Sequence, residues 1–322
     1  MKQKSKRNKT IDFGLDQAQK YLKNAIYFTK DLDFKDMINK NIIGDTFEVL
    51  KNVEDESIDL IIVDPPYNLR KNYHGNIFTE KDSKTYESYT RKWIEMVKDK
   101  LKENASMYVC CDWKSSLIIG PILLEYFNVR NRITWQREKG RGSKNNWKNS
   151  MEDIWYVSKG DDFTFNIDKL KQRKRVLAPY KEGGKAKDWK EGDNGKYRDT
   201  YPSNFWDDIS IPFWSMEENT GHPTQKPEKL IAKLILASSN EGDLILDPFA
   251  GSCTTSVTAK KLSRRYIGIE QNELYVAWGE KRLENAKKNP TIQGYEDGIF
   301  YERNYRLWKQ TNQKSISYQT RY

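Results

Sequence analysis

Histidine and cysteine are scarce in this chain: its 322 residues include 2 His and 3 Cys. Cys110, Cys111 and Cys253 are an odd number, two of them adjacent in an apolar run, so no disulfide framework is expected. None stands at metal-ligand spacing from another Cys or a His, and no metal site is expected. Long hydrophobic runs are missing too; none approaches the roughly 20 residues that a bilayer span needs. The basic start, Met1-Lys2-Gln3-Lys4-Ser5-Lys6-Arg7, leads into no apolar stretch, so no secretory signal is expected. These absences read as a soluble protein of a reducing cytoplasm, without a membrane partner. No internal repeat is present, and without a G-x-G-x-x-G the pyrophosphate of NAD or FAD is not indicated.

Positive charge and aromatic residues are plentiful instead. The formal charge is +10, and 10 Trp and 19 Tyr contribute to an aromatic share of 13%. A basic surplus favours a polyanionic partner, and Trp and Tyr can stack on unpaired bases as well as fill cores. The length is enough for one large α/β domain with an inserted or appended module.

Residues 1–40 read as a charged N-terminal extension with a helix around Leu15 to Phe28. From 41 to 137, helices and strands alternate. A turn at Gly44-Asp45 precedes a helix from Phe47 to Lys51, and the apolar run Ile58 to Val63 is a buried parallel strand. A helix from Tyr86 to Leu101, a strand from Ser106 to Cys111, a helix from Ser115 to Phe127 and a strand from Val129 to Gln136 follow. The alternation resumes over 221–290, with helices Glu228 to Ser238, Thr254 to Leu262 and Glu273 to Lys287 between strands Asp243 to Asp247 and Arg265 to Ile269. Such alternation predicts a mostly parallel sheet covered on both faces. Residues 138–220 are less regular, basic and broken by glycines, with Trp147, Tyr180, Trp189, Tyr197 and Tyr201 among the charges. A solvated loop would look like this, and so would a nucleic-acid surface. Residues 291–322 form a basic, aromatic tail with no clear element.

Two stretches carry chemistry. In Asp247-Pro-Phe249-Ala-Gly251-Ser-Cys253-Thr254-Thr255 a strand leads through a small-residue turn into a helix, and the next strand ends at Glu270. Such a turn lets a ligand approach the backbone, and the following acid can accept hydrogen bonds from ribose hydroxyls, which suits an adenosyl cofactor. In Asp64-Pro65-Pro66-Tyr67 two prolines fix the backbone after a buried strand, setting an acid beside a free carbonyl and an aromatic ring. Hydrogen bonds from an exocyclic amine to the Asp64 carboxylate and the Pro65 carbonyl would aim its lone pair at a methyl sulfonium, with Tyr67 stacked on the base.

The tetrapeptide resembles the catalytic motif of the amino-methyltransferases in its adenine-N6 form, and the second stretch is similar to their cofactor loop. Gly221-His222-Pro-Thr224-Gln-Lys226-Pro227 matches a third motif. Their order, catalytic motif before cofactor motif, is that of the permuted β group, which includes restriction-modification and cell-cycle-regulated adenine methylases. The resemblance implies a Rossmann-like, mostly parallel seven-stranded sheet of the class I S-adenosylmethionine-dependent kind, with 41–137 as the catalytic half, 221–290 as the cofactor half and 138–220 as an inserted target-recognition segment. It implies methyl transfer from S-adenosyl-L-methionine to adenine N6 in a short duplex DNA site by a bacterial or phage enzyme. It leaves open a homodimer and a restriction endonuclease acting on the same site without direct contact. Asp64, Pro65, Pro66 and Tyr67 are then catalytic. Asp45, Asp247, Phe249, Gly251, Cys253, Thr254 or Thr255 and Glu270 adjoin the cofactor, Thr224 and Lys226 its carboxylate, and His222 makes a structural hydrogen bond. Lys171, Arg173, Arg175, Trp189 and Lys190 are candidates for DNA contact. Cys253 stands where the family usually has glycine, and its thiol is expected to fit if φ there is negative. Cytosine-N4 methylation and a non-catalytic DNA-binding specificity subunit are the alternatives.

Overall fold

The computed structural model describes residues 5–68, 71–73, 76–78, 81–137, 144–177, 180–192 and 195–303. Parts of two expected regions, 138–143 of the recognition segment and 304–322 of the tail, lie outside the described residues.

The main sheet is built from β1 (Ile26–Tyr27), β2 (Lys40–Ile43), β3 (Ile58–Val63), β4 (Leu101–Cys111), β5 (Asn128–Gln136), β6 (Met151–Ser158), β10 (Phe205–Trp206), β11 (Leu244–Asp247) and β12 (Arg265–Glu270). Their spatial order is β1-β2-β12-β11-β3-β4-β6-β5-β10. All neighbours run parallel except at β6, which is antiparallel to both β4 and β5. The seven central strands are the expected ones in number, and a two-residue strand is added at each edge.

Strand β3 shows why the sheet is a middle layer. Leu60 and Ile62 face one apolar cluster and Ile61 and Val63 the other, so each face must be covered. Helices α2 (Ser83–Lys100) and α3 (Trp113–Tyr126) cover the face of Ile61 and Val63, and α4 (Glu228–Ser238) and α5 (Thr254–Lys261) that of Leu60 and Ile62. Side-chain caps start α2 and α3: Asp82 accepts the Thr85 N–H and Asp112 the Ser115 N–H. Helix α6 (Glu273–Lys288) begins at Asn272, which caps Leu274 and Tyr275.

Three boundaries differ from the sequence reading. Residues 138–220 are not all insertion, because β6 sits in the sheet with Ile154, Tyr156 and Val157 buried. Its opening acids, Glu152 and Asp153, are buried as well, and acids at the start of a strand disguised it. The N-terminal extension is docked rather than loose: α1 (Leu15–Leu22), shorter than expected, buries Ala18 and Leu22 against Val276 and Ala277 of α6. The tail has structure too. Its strands β13 (Tyr295–Glu296) and β14 (Ile299–Tyr301) join β7 (Gln172–Arg175), β8 (Lys190–Gly192) and β9 (Gly195–Thr200) in a second sheet of order β8-β9-β7-β14-β13. Leu170, Ile292 and Phe300 seat this small sheet on Ala232, Leu236 and Ala237 of α4.

Candidate active site

Four adjacent parallel strands, β2, β12, β11 and β3, end on the same edge of the sheet, and each exit carries a candidate residue: Asp45, Glu270, Asp247 and Asp64. Ligands of open parallel sheets bind at such carboxyl ends. A cavity of about 380 Å³ opens there and reaches all four acids, a size in the range of small-molecule sites.

One end is built by the turn after β11. Asp247 is buried and braces that turn, accepting from the Thr255 hydroxyl at 2.6 Å and the Phe249 N–H at 3.1 Å. Burial outweighs these bonds and pushes its carboxyl up to about 7. Gly251 has φ +51°, and a Cβ there would stand 3.1 Å from Nε2 of His222, so both conformation and space call for glycine. Glu270 accepts the N–H groups of Gly251 and Asn272, each at 2.9 Å. Burial raises its carboxyl against the pull of those backbone donors. Asp45 caps the turn Thr46–Val49 through Phe47 and Glu48 and accepts from the Gln271 amide at 2.8 Å. Phe249 packs edge-on against Trp93 and faces the cavity, as do Thr224 and Thr254. His222 accepts the Thr224 N–H at Nδ1 and sets its ring edge-on to Tyr275.

Cys253 departs from expectation. Its φ is +58°, in the left-handed region, not negative, and its side chain is fully buried. The thiol turns away from the cavity toward α6, where a Cβ on Gly279 would lie 2.5 Å from its sulfur. Glycine at 279 makes the room that a side chain at 253 needs, and Cys253 is a packing residue behind the loop rather than a lining one.

The other end is built by the Asp64–Tyr67 turn. Tyr86 donates to the Pro66 carbonyl at 3.2 Å, which ties the double-proline turn to α2. The Tyr67 hydroxyl donates to Oδ1 of Asp64 at 2.8 Å. Burial, with Asp64 and Glu152 nearby, pushes that phenol well above its ordinary value, so it stays a donor. Lys226 lines the cavity, and its ammonium donates to Oδ2 of Asp64 at 2.6 Å and to the Tyr67 oxygen at 3.1 Å, contacts that the sequence alone did not suggest. Glu152, from β6, lies 3.4 Å from both the Lys226 nitrogen and the Tyr67 oxygen, and Arg137 pairs with its other oxygen. Neither Glu152 nor Arg137 was singled out from sequence; the available signal was a pair of acids opening an otherwise apolar strand.

The DNA-contact candidates fall on or beside the small sheet, with unequal freedom. Lys190 is exposed on β8 and Arg175 on β7. Lys171 is partly exposed, 3.5 Å from Asp168. Trp189 donates its indole N–H to the Tyr180 carbonyl, with Lys196 over its ring. Arg173 is the exception: it makes a two-pronged pair with Asp199 at 2.7 and 2.8 Å and lies over the Tyr197 ring at 4.1 Å, so its charge is already matched inside the sheet. Among the described residues no cluster of His, Cys, Asp and Glu is arranged for a metal ion.

A parallel sheet with a nucleoside-type loop beside an acid-proline-proline-tyrosine turn, both opening into one cavity, defines a group-transfer enzyme with an adenosyl cofactor. Residues 58–281 match the N6_N4_Mtase family model, described as DNA methylase, and the chain belongs to that family. Curated relatives include the type II methyltransferase M.HpaI of Haemophilus parainfluenzae, 36% identical over 254 residues, which are 77% of this chain and 75% of that protein. The DNA adenine methyltransferase YhdJ of Escherichia coli (strain K12) is 36% identical over 253 residues, 77% and 83% of the two chains. Among solved structures, the M1.HpyAVI–SAM complex shares the fold with a TM-score of 0.51 at 24% identity over 76% of this chain and 98% of that one.

Proposed function

We propose that this chain transfers a methyl group from S-adenosyl-L-methionine to N6 of adenine within a short site in duplex DNA, as the modification enzyme of a restriction-modification system. The observation that carries the reading is the convergence of Asp64-Pro65-Pro66-Tyr67 and the Asp247–Thr255 loop on one cavity. Relatives named as type II methyltransferases and as a DNA adenine methyltransferase support the same substrate.

The cavity fits the cofactor in kind. Glu270 and Asp45 offer carboxylate acceptors for hydroxyl and amino groups, Phe249 an apolar face, and Gly251 a backbone that a ligand can approach closely. Bound there, S-adenosylmethionine supplies a methyl carbon made electrophilic by its sulfonium. Asp64 and the Pro65 carbonyl accept hydrogen bonds from the two N6–H groups, and Tyr67 flanks the base. Held this way, the N6 lone pair would take the methyl group as the C–S pair returned to sulfur, and one N6 proton would pass by way of the Asp64 carboxylate to water. A base inside a duplex must leave the stack to reach this edge. We assign target recognition to the parts of 138–220 outside β6, with the small sheet and its exposed Lys190 and Arg175 gripping the backbone.

Transfer of labelled methyl to unmethylated genomic DNA, followed by nucleoside analysis, tests the reading: N6-methyladenine is expected from the wild-type chain and none from Asp64→Ala. Full methylation by Asp64→Ala, or N4-methylcytosine as the product, would overturn it.

A further inference from the structure

If Asp64 accepts the target amine, its surroundings pose a problem, because both carboxylate oxygens already hold a donor. Tyr67 donates to Oδ1 at 2.8 Å and Lys226 to Oδ2 at 2.6 Å. Each of those donors has a second carboxylate within reach, since Oε2 of Glu152 lies 3.4 Å from the Tyr67 oxygen and 3.4 Å from the Lys226 nitrogen. Two donors thus stand between two acceptors, close to Asp64 and slightly removed from Glu152.

We propose that Glu152 is a positioning residue that draws the Lys226 ammonium and the Tyr67 hydroxyl off Asp64 when the target amine arrives, freeing Asp64 to accept its N–H. This rests on the amine-methylating reading above. Three features of the structure suit Glu152 to the role. It is fixed: its strand is hydrogen-bonded on both sides, with Glu152 opposite Trp135 on β5 and the adjacent Asp153 opposite Cys111 on β4. Its other oxygen is held by the Arg137 guanidinium, a rigid planar donor, so Oε2 is the side turned to the site. The donors, by contrast, can move. A lysine ammonium sits on a flexible stem and a tyrosine hydroxyl rotates, and the displacement required is shorter than a covalent bond.

Charge balance points the same way. Asp64 and Glu152 carry two negative charges, Lys226 and Arg137 two positive ones, in a largely buried cluster. Two buried carboxylates without a cation between them could not both stay ionised. Lys226 without Glu152 would have Asp64 as its one carboxylate and would compete with the amine for it. Burial pulls the Lys226 ammonium down, and Asp64 and Glu152 together more than offset that pull, leaving it raised.

The test is Glu152→Gln, which keeps the shape and removes the charge. It is read by S-adenosylmethionine Kd from calorimetry and by kcat and KM on unmethylated genomic DNA. Cofactor Kd and DNA KM are expected within about twofold of wild type while kcat falls on the order of tenfold or more. Glu152→Asp should recover part of kcat. An unchanged kcat would overturn the proposal, as would a fall in kcat matched by lost cofactor binding or one that Glu152→Asp does not relieve. Should Glu152→Gln not fold, Glu152→Gln/Lys226→Met is compared with Lys226→Met. The proposal expects the double variant to lose clearly less than about tenfold in kcat relative to Lys226→Met, since one of the two donors to be drawn away is gone, and a further loss of about tenfold or more would overturn it. An active wild type with an insensitive Glu152→Gln refutes this inference alone, whereas a wild type that binds cofactor but methylates nothing refutes the functional reading with it.

Discussion

The carboxyl edge of the main sheet and the small sheet on α4 both concentrate charge, and they hold it in opposite ways. At the edge, Asp64, Glu152, Lys226 and Asp247 are largely withdrawn from water and bonded to one another or to the turn they brace. In the small sheet Lys190 and Arg175 are exposed, Arg198 is exposed with a single-pronged pair to Asp188 at 2.9 Å, and Arg173 alone of the candidates is locked to a neighbour on both prongs. Charge removed from water must be matched and fixed, so substitutions at the edge should act through packing and proton balance. Charge left in water acts at long range and should be individually replaceable.

The largest effect is expected just behind the edge. Gly279→Ala drives a Cβ to 2.5 Å from the Cys253 sulfur and 2.6 Å from its Cβ, within the Asp247–Thr255 loop. Because Cys253 is held by an unusual backbone, it cannot easily turn aside, and overpacking should lower stability by about 3 kcal/mol in chemical denaturation. Cys253→Gly on top of Gly279→Ala removes both clashing atoms and relieves a left-handed residue, worth about 1 kcal/mol, so the double variant should regain most of the loss. No recovery would mean that the thiol does not contact α6.

Asp247 tests proton balance on the same edge. Its folded carboxyl titrates at about 7, above the ordinary value, so the folded chain keeps a proton that the unfolded chain gives up. The stability this provides is complete below the unfolded value and is lost as pH rises through the folded one. Asp247→Asn, measured without cofactor, should therefore gain on wild type by on the order of 2 kcal/mol between roughly pH 4 and pH 8. A difference independent of pH would show that burial does not burden this carboxylate.

These two regions were legible in the sequence to different degrees. Apolar runs such as Ile58–Val63 and periodic stretches such as Glu228–Ser238 stand in the structure as read, because burial on both faces leaves an unambiguous pattern. The tetrapeptide and the loop were legible because their chemistry is local. Lys226 meets Asp64 across 162 residues of chain, and Glu152 reaches both through an antiparallel strand, so neither contact has a local signature. The left-handed turn at Cys253 was hidden for a different reason: the space that permits it is made by Gly279 on another helix. In the small sheet basic residues were countable, but which of them already had a partner depended on Asp199 pairing across β7 and β9.

That pairing supplies the smallest and most discriminating predictions. Arg173→Ala leaves the half-buried Asp199 carboxylate without its guanidinium and uncovers the Tyr197 ring, which should cost about 1 kcal/mol of stability. Since Arg173 already has a counter-ion, the dependence of DNA binding on salt should barely change. Lys190→Ala removes an exposed ammonium and should leave stability within a few tenths of a kcal/mol. If Lys190 neutralises a phosphate, its loss releases one fewer counter-ion, and the slope of log K against log salt should flatten by roughly one. The pair of variants forms a cross-over: one moves the melting curve and not the salt slope, the other the slope and not the curve. The reverse pattern would mean that Asp199 gives up its arginine to DNA and that Lys190 braces the fold instead of meeting phosphate.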